Sequence, residues 1–241
     1  MRLDKFLVEC GVGTRSEVKK ILKAKVVRVN NEVVTLAKQI VDEQQDYITY
    51  KEEPLHYEKY VYYMLNKPKG VISATSDNKH ATVVELLDDV ALQKEVFPVG
   101  RLDIDTHGLL LLTNNGALAH ALLSPKKHVE KVYQATVSGV MTEEDVLAFQ
   151  AGIQLEDGTN CLPAKLEILS QTPSSSVVRI TVMEGKFHQV KRMVQAVGKR
   201  VTDLKRLSMG ELQLDETLKK GEWRRLTATE LALFEAYAVE L

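Results

Sequence analysis

The most distinctive stretch of the chain, residues 97 to 114, reads FPVGRLDIDTHGLLLLTN. Between Gly100 and Gly108 lies a short polar loop, and a run of four leucines follows it. The loop carries four side chains capable of chemistry: Arg101, Asp103, Asp105 and His107. This pattern predicts a loop that leaves and re-enters a buried sheet, with carboxylates that are fixed in place yet accessible. The residues alone leave open a structural loop, a catalytic carboxylate or a metal site, although the spacing matches no recognised ligand pattern.

A second polar segment, residues 184 to 193, reads EGKFHQVKRM. Apolar residues at helical spacing predict a helix over residues 188 to 197, with Lys191 and Arg192 outside its apolar stripe. Residues 179 to 206 hold eight basic and two acidic side chains, which favours a polyanionic partner. We interpret His188 as a residue that orients others by hydrogen bonds rather than as a general base.

The first 35 residues form a basic module with eight basic and four acidic side chains, whereas residues 36 to 59 carry three basic and six acidic ones. Helical spacing, a capping box at Thr14 and an Asn30-Asn31 turn predict two helices followed by a hairpin. We therefore expect a small domain over residues 1 to 46, a linker over 47 to 59 and a larger domain over 60 to 241. The basic side chains of the small domain that could contact a polyanion are Arg2, Lys5, Arg15, Lys19, Lys20 and Lys23. A merely solvated basic face is the alternative.

Strand-like stretches in the larger domain alternate irregularly with short helices. We expect strands over residues 61–65, 131–137, 164–169 and 177–182, and capped helices that begin at Thr82, Thr142 and Thr227. Because strands outnumber helices and do not alternate with them, the fold class is predicted to be α+β with a mixed, largely antiparallel sheet.

The overall composition is that of an ordinary globular protein, with 44% hydrophobic and 27% charged residues. A formal net charge of -1 excludes a globally basic chain but allows local basic faces. The longest apolar run is four leucines, far short of a membrane span, and we expect a cytoplasmic protein. Two cysteines, Cys10 and Cys161, are too few for a disulfide framework or a cysteine-rich zinc site.

Residues 100 to 116, GRLDIDTHGLLLLTNNG, closely resemble the signature of the RsuA-type pseudouridine synthases. Three further stretches follow in that family's order: residues 65–71 (LNKPKGV), 130–133 (EKVY) and 184–193. The N-terminal RLDKFL and TRSE, residues 2–7 and 14–17, resemble an S4 RNA-binding domain. The resemblance covers nearly the whole chain, although Asn115 replaces the Asp more usual at its position.

The resemblance implies a role for individual residues. Asp103 is implied as the essential carboxylate, acting as the nucleophile or as the base that starts an elimination. Lys186 matches the basic position that pairs with this carboxylate, Tyr133 matches the tyrosine that stacks on the base, and Arg101 matches an arginine that holds the extruded nucleotide. Residues 105 to 107 are expected to shape the loop or contact RNA. Lys191 and Arg192, together with the basic side chains of the small domain, are expected to contact RNA.

The resemblance also implies that the protein isomerises uridine to pseudouridine within RNA, with no cofactor and no metal. The expected partner is ribosomal RNA, with small-subunit (16S) RNA favoured because the chain is short and lacks a long basic tail. The alternatives are a large-subunit (23S) target, or a non-catalytic S4 protein that chaperones or regulates ribosomal RNA. The latter predicts loss of the Asp or its basic partner. We expect a monomer with no membrane association.

Overall fold

The capping box predicted at Thr14 is present in the computed structural model, which describes residues 1–241. The Glu17 carboxylate accepts from the Thr14 backbone N–H at 2.7 Å, and the Thr14 hydroxyl accepts from the Glu17 N–H at 3.4 Å. These two bonds satisfy N–H groups that have no partner within the helix. Val18 and Leu22 of this helix are buried in the core of the N-terminal unit.

The chain divides into two units, of which the first comprises Met1–Val61 and Asp89–Glu95. Its elements are α1 (Leu3–Glu9), α2 (Arg15–Lys23), β1 (Val27–Val29), β2 (Glu32–Val33), β3 (Ile48–Tyr50), β4 (Glu53–Pro54) and α3 (Asp89–Gln93). The four strands form a sheet in the order β2-β1-β3-β4. Asn30 and Asn31 both have positive φ, as the turn between β1 and β2 requires.

Residues 47 to 59, expected to be a linker, instead contain β3 and β4. Ile48 is 1% exposed and belongs to the hydrophobic core of this unit. The polar composition of the segment concealed a strand of three residues, too short to give a clear alternating pattern.

The second unit comprises Tyr62–Asp88 and Val96–Leu241. Its strands are β5 (Tyr62–Lys67), β6 (Phe97–Pro98), β7 (His107–Thr113), β8 (Lys131–Ser138), β9 (Lys165–Gln171), β10 (Ser175–Val182), β11 (Arg200–Met209), β12 (Leu212–Gln213) and β13 (Trp223–Arg225). Its helices are α4 (Gly116–Leu123), α5 (Glu143–Ala151), α6 (Gln189–Ala196) and α7 (Ala228–Ala232). The predicted strands and the helix over residues 188 to 197 are thus present with small shifts of their ends.

These nine strands form one sheet with the main order β13-β5-β7-β11-β8-β10-β9, while β12 pairs with β11 and β6 with β7. Only β7 and β11 are parallel, and every other pair is antiparallel. The predicted α+β class with a mixed, largely antiparallel sheet is confirmed. Every residue of β5 and β7 is buried, as expected for strands covered on both faces.

Local capping signals were correct at two of three positions in this unit. Capping boxes at Thr142 and Thr227 open α5 and α7. At Thr82 the side chain of Glu85 accepts from the Thr82 N–H, but only a single 3₁₀ turn, Val84–Leu86, follows. The backbone there bridges to Ile72, with the Val83 N–H donating to the Ile72 carbonyl at 3.0 Å, and this pairing competes with a helix. None of the helices is both long and apolar enough to cross a membrane.

Candidate active site

The loop of residues 99 to 106 connects β6 to β7 and forms one wall of a cleft. Ser73 fixes the loop on one side, because its hydroxyl donates to the Leu102 carbonyl and accepts from the Leu102 N–H, both at 3.0 Å. Within the loop, the Thr106 N–H donates to the Asp103 carbonyl at 3.0 Å. Hydrogen bonds therefore fix the backbone on both sides of Asp103, at Leu102 and at Thr106.

Gly108 allows the loop to enter the sheet at the parallel pair of β7 and β11. Its φ is +104°, and a Cβ at this position would lie 2.3 Å from the Arg206 carbonyl oxygen. Because the nearest contacting groups are backbone, no side-chain adjustment could accommodate even alanine. The glycine of the signature is thus explained by the close approach of two strands.

Lys67 lies beneath the loop and is completely buried. Its ammonium donates to the carbonyl oxygens of Pro68 at 3.0 Å, Asp103 at 3.1 Å and Thr106 at 3.0 Å. Burial lowers the pKa of Lys67 to about 8, although the negative charges of Asp103 and Asp105 partly oppose the shift. The sequence of residues 65–71, which contributes only to the family resemblance, does not indicate that Lys67 is buried beneath the loop.

Asp103 is paired with Lys191, and not with Lys186 as the resemblance had suggested. Lys191 Nζ lies 2.7 Å from Asp103 Oδ2 and 2.5 Å from Asp105 Oδ1. Burial lowers the pKa of Lys191, but the hydrogen bonds and charges of the two carboxylates outweigh it, so the pKa lies above its ordinary value. His188 Nε2 lies 3.4 Å from Asp103 Oδ1. Lys191 thus places its positive charge directly beside the Asp103 carboxylate, whose side chain remains 29% exposed.

Lys186 lines the same cleft but is held by a different carboxylate. Its ammonium forms an ion pair with Glu184, which also accepts from Gln189 Nε2 at 2.7 Å. Lys186 precedes α6, whereas Lys191 lies within this helix, where the side chain reaches the Asp103 loop. Lys191, predicted as an RNA contact, is therefore part of the active site. Lys186, predicted to pair with Asp103, pairs with Glu184 instead.

Tyr133 lies on β8 and lines the cleft together with Leu204 of β11. The tyrosine is half-buried and packs against the hydrophobic core formed by α5, α6 and the adjoining strands. Arg101 also lines the cleft, is exposed, and forms no ion pair or side-chain hydrogen bond. A ring and a free guanidinium are thus available to a ligand beside the Asp103–Lys191 pair.

Asp105 and His107 do not form a common ligand set with Asp103. The His107 ring is buried and faces Asp203, with Nε2 at 3.0 Å from Oδ2, while Lys69 Nζ lies 2.5 Å from Asp203 Oδ1. Burial lowers the pKa of His107 despite the neighbouring Asp203. No group of three His, Cys, Asp or Glu side chains in the structure could hold a metal ion. Asp105 thus pairs with Lys191, and His107, at the start of β7, contacts Asp203.

Two further buried cations lie along the strands next to this loop. Arg206 is the cross-strand neighbour of Tyr133 and donates from Nε to the Leu109 carbonyl at 2.8 Å, while its Nη2 is buried without a partner. Lys131 donates to the Val129 carbonyl at 2.7 Å, and burial, with the charge of Arg206, lowers the pKa of Lys131. Lys67, Lys131 and Arg206 are therefore buried cations that donate to backbone carbonyls and form no ion pair with a carboxylate.

The remaining candidate RNA contacts lie at the surface, and some are already paired. Arg192 Nη2 lies 2.5 Å from Asp157 Oδ2, and Arg2 Nη2 lies 2.5 Å from Asp4 Oδ2. The candidates without an ion pair are Lys5, Arg15, Lys19, Lys20 and Lys23, all on α1 or α2 of the N-terminal unit. These unpaired cations leave the helices able to contact phosphates.

One cleft brings together an ion-paired loop carboxylate, a tyrosine ring and an unpaired guanidinium. With the basic helices of the N-terminal unit, this arrangement favours an enzyme that acts on a nucleic acid. The chain belongs to the RNA pseudouridylate synthase family, whose model matches residues 61–196, and an S4 domain model matches residues 1–46. The family, the enzyme class and the RNA-binding S4 domain expected from the sequence are confirmed.

Similar proteins align over nearly the full length of the chain. An uncharacterized RNA pseudouridine synthase, YtzG of Bacillus subtilis, is 47% identical over 97% of this chain and 98% of its own. Proteins named ribosomal small subunit pseudouridine synthase A are 39% identical in Haemophilus influenzae and 38% identical in Escherichia coli, each covering 96% of this chain. The former is covered over 98% of its own length and the latter over 99%. A solved pseudouridylate synthase structure is 38% identical, covers 97% of this chain and 99% of that one, and gives a TM-score of 0.68.

Proposed function

We propose that this protein converts a uridine of small-subunit ribosomal RNA into pseudouridine, with Asp103 as the group that initiates the reaction. The choice of RNA is supported by the relatives named for the small ribosomal subunit, which align with 96% of this chain. The choice of residue is supported by the 2.7 Å contact between Asp103 and Lys191 within the cleft. We continue to expect a cytoplasmic monomer.

The reaction exchanges one bond to the ribose for another. The bond between N1 and C1′ breaks, the freed uracil turns, and a bond forms between C5 and C1′. The proton on C5 is lost and N1 gains one, so the product is an isomer and no electrons are transferred. Asp103 can start this sequence by adding to C1′ or by removing the C2′ proton, and both routes require its ionised form. Lys191 places a positive charge 2.7 Å from this carboxylate.

Other side chains of the cleft can bind the uridine after it leaves the RNA helix and can accept its C5 proton. A uridine within a helix is out of reach of Asp103, so it must be turned out of the stack, at a cost of about a few kcal/mol. Stacking on the Tyr133 ring and contact between Arg101 and the nucleotide would offset that cost. We assign help in removing the C5 proton to the Tyr133 phenol, because Tyr133 lines the cleft. Phosphate contacts from α1 and α2 would add affinity that does not depend on base identity.

The direct test maps pseudouridines in ribosomal RNA from cells with and without the protein. We expect one small-subunit uridine to lose its modification when the protein is absent. We expect the purified protein to restore it on an unmodified small-subunit transcript.

A site in large-subunit RNA alone would contradict the proposed substrate. No missing pseudouridine in either RNA, together with tight binding to ribosomal RNA, would indicate instead a non-catalytic chaperone or regulator.

A further inference from the structure

Phe187 is the most exposed large apolar side chain of the protein, at 74%. Its ring stacks on that of His188, with centroids 3.8 Å apart and planes inclined by 18°. One face of the phenylalanine is therefore covered by the histidine, and its other face is open to solvent. An open aromatic face is the surface on which a nucleobase stacks.

The backbone holds this pair in a defined position. His188 has φ +49° and ψ 32°, a left-handed conformation that residues with a Cβ rarely adopt. Bonds on both sides fix the turn: the Lys186 N–H donates to Gln189 Oε1 at 2.9 Å, and the Arg192 N–H donates to the His188 carbonyl at 2.9 Å. A surface held in this way loses little conformational freedom when a ligand binds.

The pair lies at the rim of the active-site cleft. His188 lines the cleft, and its Nε2 lies 3.4 Å from Asp103 Oδ1. Phe187 does not line the cleft. A base on the open face of Phe187 would therefore lie outside the cleft while the reacting uridine lies inside it.

Charge near the pair favours RNA over an apolar partner. Lys186 is adjacent in sequence, and Arg192 Nη1 donates to the Phe187 carbonyl at 3.5 Å. Lys186 is ion-paired with Glu184 and Arg192 with Asp157, and both cations keep part of their side chains exposed, at 32% and 26%. Cations around an exposed ring are the combination with which proteins bind single-stranded nucleic acid, because the cations bind phosphates and the ring stacks on a base.

We propose that Phe187, backed by His188, binds a nucleobase next to the target uridine and replaces stacking that is lost when the uridine leaves the helix. The proposal rests on RNA being the substrate and adds a second base-binding position to the proposed function. Phe187 is thus a positioning residue, and it takes no part in the chemical step.

The test measures binding of unmodified small-subunit ribosomal RNA to variants that also carry Asp103→Asn, so that the RNA is not converted. Phe187→Ala should weaken binding by about 5- to 150-fold, the range that corresponds to one stacked base. The salt dependence should not change, because the variant binds the same phosphates as its parent. Leu147→Ala on α5 is the matched control, since Leu147 is 63% exposed and should bind as the parent does.

Two additional measurements separate stacking from other effects. Heparin, a polyanion without bases, should bind Phe187→Ala and its parent equally. Phe187→Trp should give a fluorescence that RNA quenches, beyond any change from the one natural tryptophan, Trp223. Phe187→Leu, which keeps apolar bulk without a ring, should lose affinity as Phe187→Ala does.

The proposal is overturned if Phe187→Ala binds the RNA as tightly as its parent, if heparin binding falls equally, or if Phe187→Leu restores full affinity. These measurements do not depend on turnover. A wild-type protein that forms no pseudouridine would refute the proposed function while leaving a base-specific loss of affinity at Phe187 intact.

Discussion

Replacement of Lys67 by Met should remove a pH-dependent contribution to the free energy of unfolding. Lys67 is 0% exposed and donates to three carbonyl oxygens, two of which belong to the loop that carries Asp103. Burial lowers the pKa of Lys67 from 10.5 to about 8. The Lys67 amine therefore binds its proton less tightly in the folded state than in the unfolded state.

The sign and size of the effect follow from these two pKa values. Below pH 8 the lysine is protonated in both states, and the folded state bears the full cost of the buried charge. Between pH 8 and 10.5 the folded state releases its proton while the unfolded state retains it, so the stability of the wild type rises with pH. At 1.36 kcal/mol per pKa unit, the rise between about pH 7 and pH 10 is about 2–3 kcal/mol.

The measurement is urea unfolding at several pH values, followed by fluorescence of Trp223, the one tryptophan of the chain. Trp223 lies on β13 and pairs with Leu65 of β5, the strand that ends in Lys67. Lys67→Met lacks three hydrogen bonds at every pH, so the informative quantity is the difference from wild type as a function of pH. That difference should grow in favour of the wild type as pH rises from 7 to 10. A difference that stays constant within about 0.5 kcal/mol would refute the assignment of a destabilised buried ammonium.

Three further changes test other parts of the structure. Lys191→Met should lower kcat/KM by about 10- to 100-fold, because an ion pair between half-buried groups is worth about 1–3 kcal/mol. Lys191→Arg should recover much of the lost kcat/KM. A larger loss of kcat/KM from Lys186→Met than from Lys191→Met would contradict the observed pairing. Gly108→Ala should lower the free energy of unfolding by about 2–5 kcal/mol through its backbone clash. Gly158→Ala, at φ +82° with open space around it, should lower it by only about 1 kcal/mol, and equal decreases in urea unfolding would refute the clash. The third change replaces four cations on α2 by Gln: Arg15, Lys19, Lys20 and Lys23. The slope of log Kd for RNA against log salt concentration should fall by about 0.7–0.9 for each phosphate that is no longer bound, while kcat is retained. An unchanged slope would contradict a role for these residues in RNA binding.

The parts of the fold that the sequence predicted well are those decided by neighbouring residues. The boxes at Thr14, Thr142 and Thr227 open helices because the bonds of a cap join residues three apart. At Thr82 the same local signal failed because a pairing with Ile72 decided the backbone instead. The short strand at residues 48 to 50 was missed since its stability comes from the β1 partner rather than from its own pattern.

The active site shows the same division between local and distant information. The loop with Asp103 could be identified from its motif, and its connection of β6 to β7 agrees with that prediction. Which lysine reaches Asp103 depends on the direction in which α6 leaves β10, and no local spacing decides between Lys186 and Lys191. The burial of Lys67 depends likewise on distant parts of the chain, because Lys67 ends β5 and its ammonium binds carbonyls of Asp103 and Thr106 in the loop before β7.

The central claim, that the Asp103 carboxylate initiates the isomerisation, is tested most directly by Asp103→Asn. The amide preserves the volume of the side chain but can neither add to C1′ nor remove the C2′ proton. The assay follows tritium released from C5-labelled uridine in small-subunit ribosomal RNA, since the C5 hydrogen is lost only when the new bond forms. We expect no release above background from a variant that still binds the RNA as the wild type does, whereas appreciable turnover by this variant would contradict the claim.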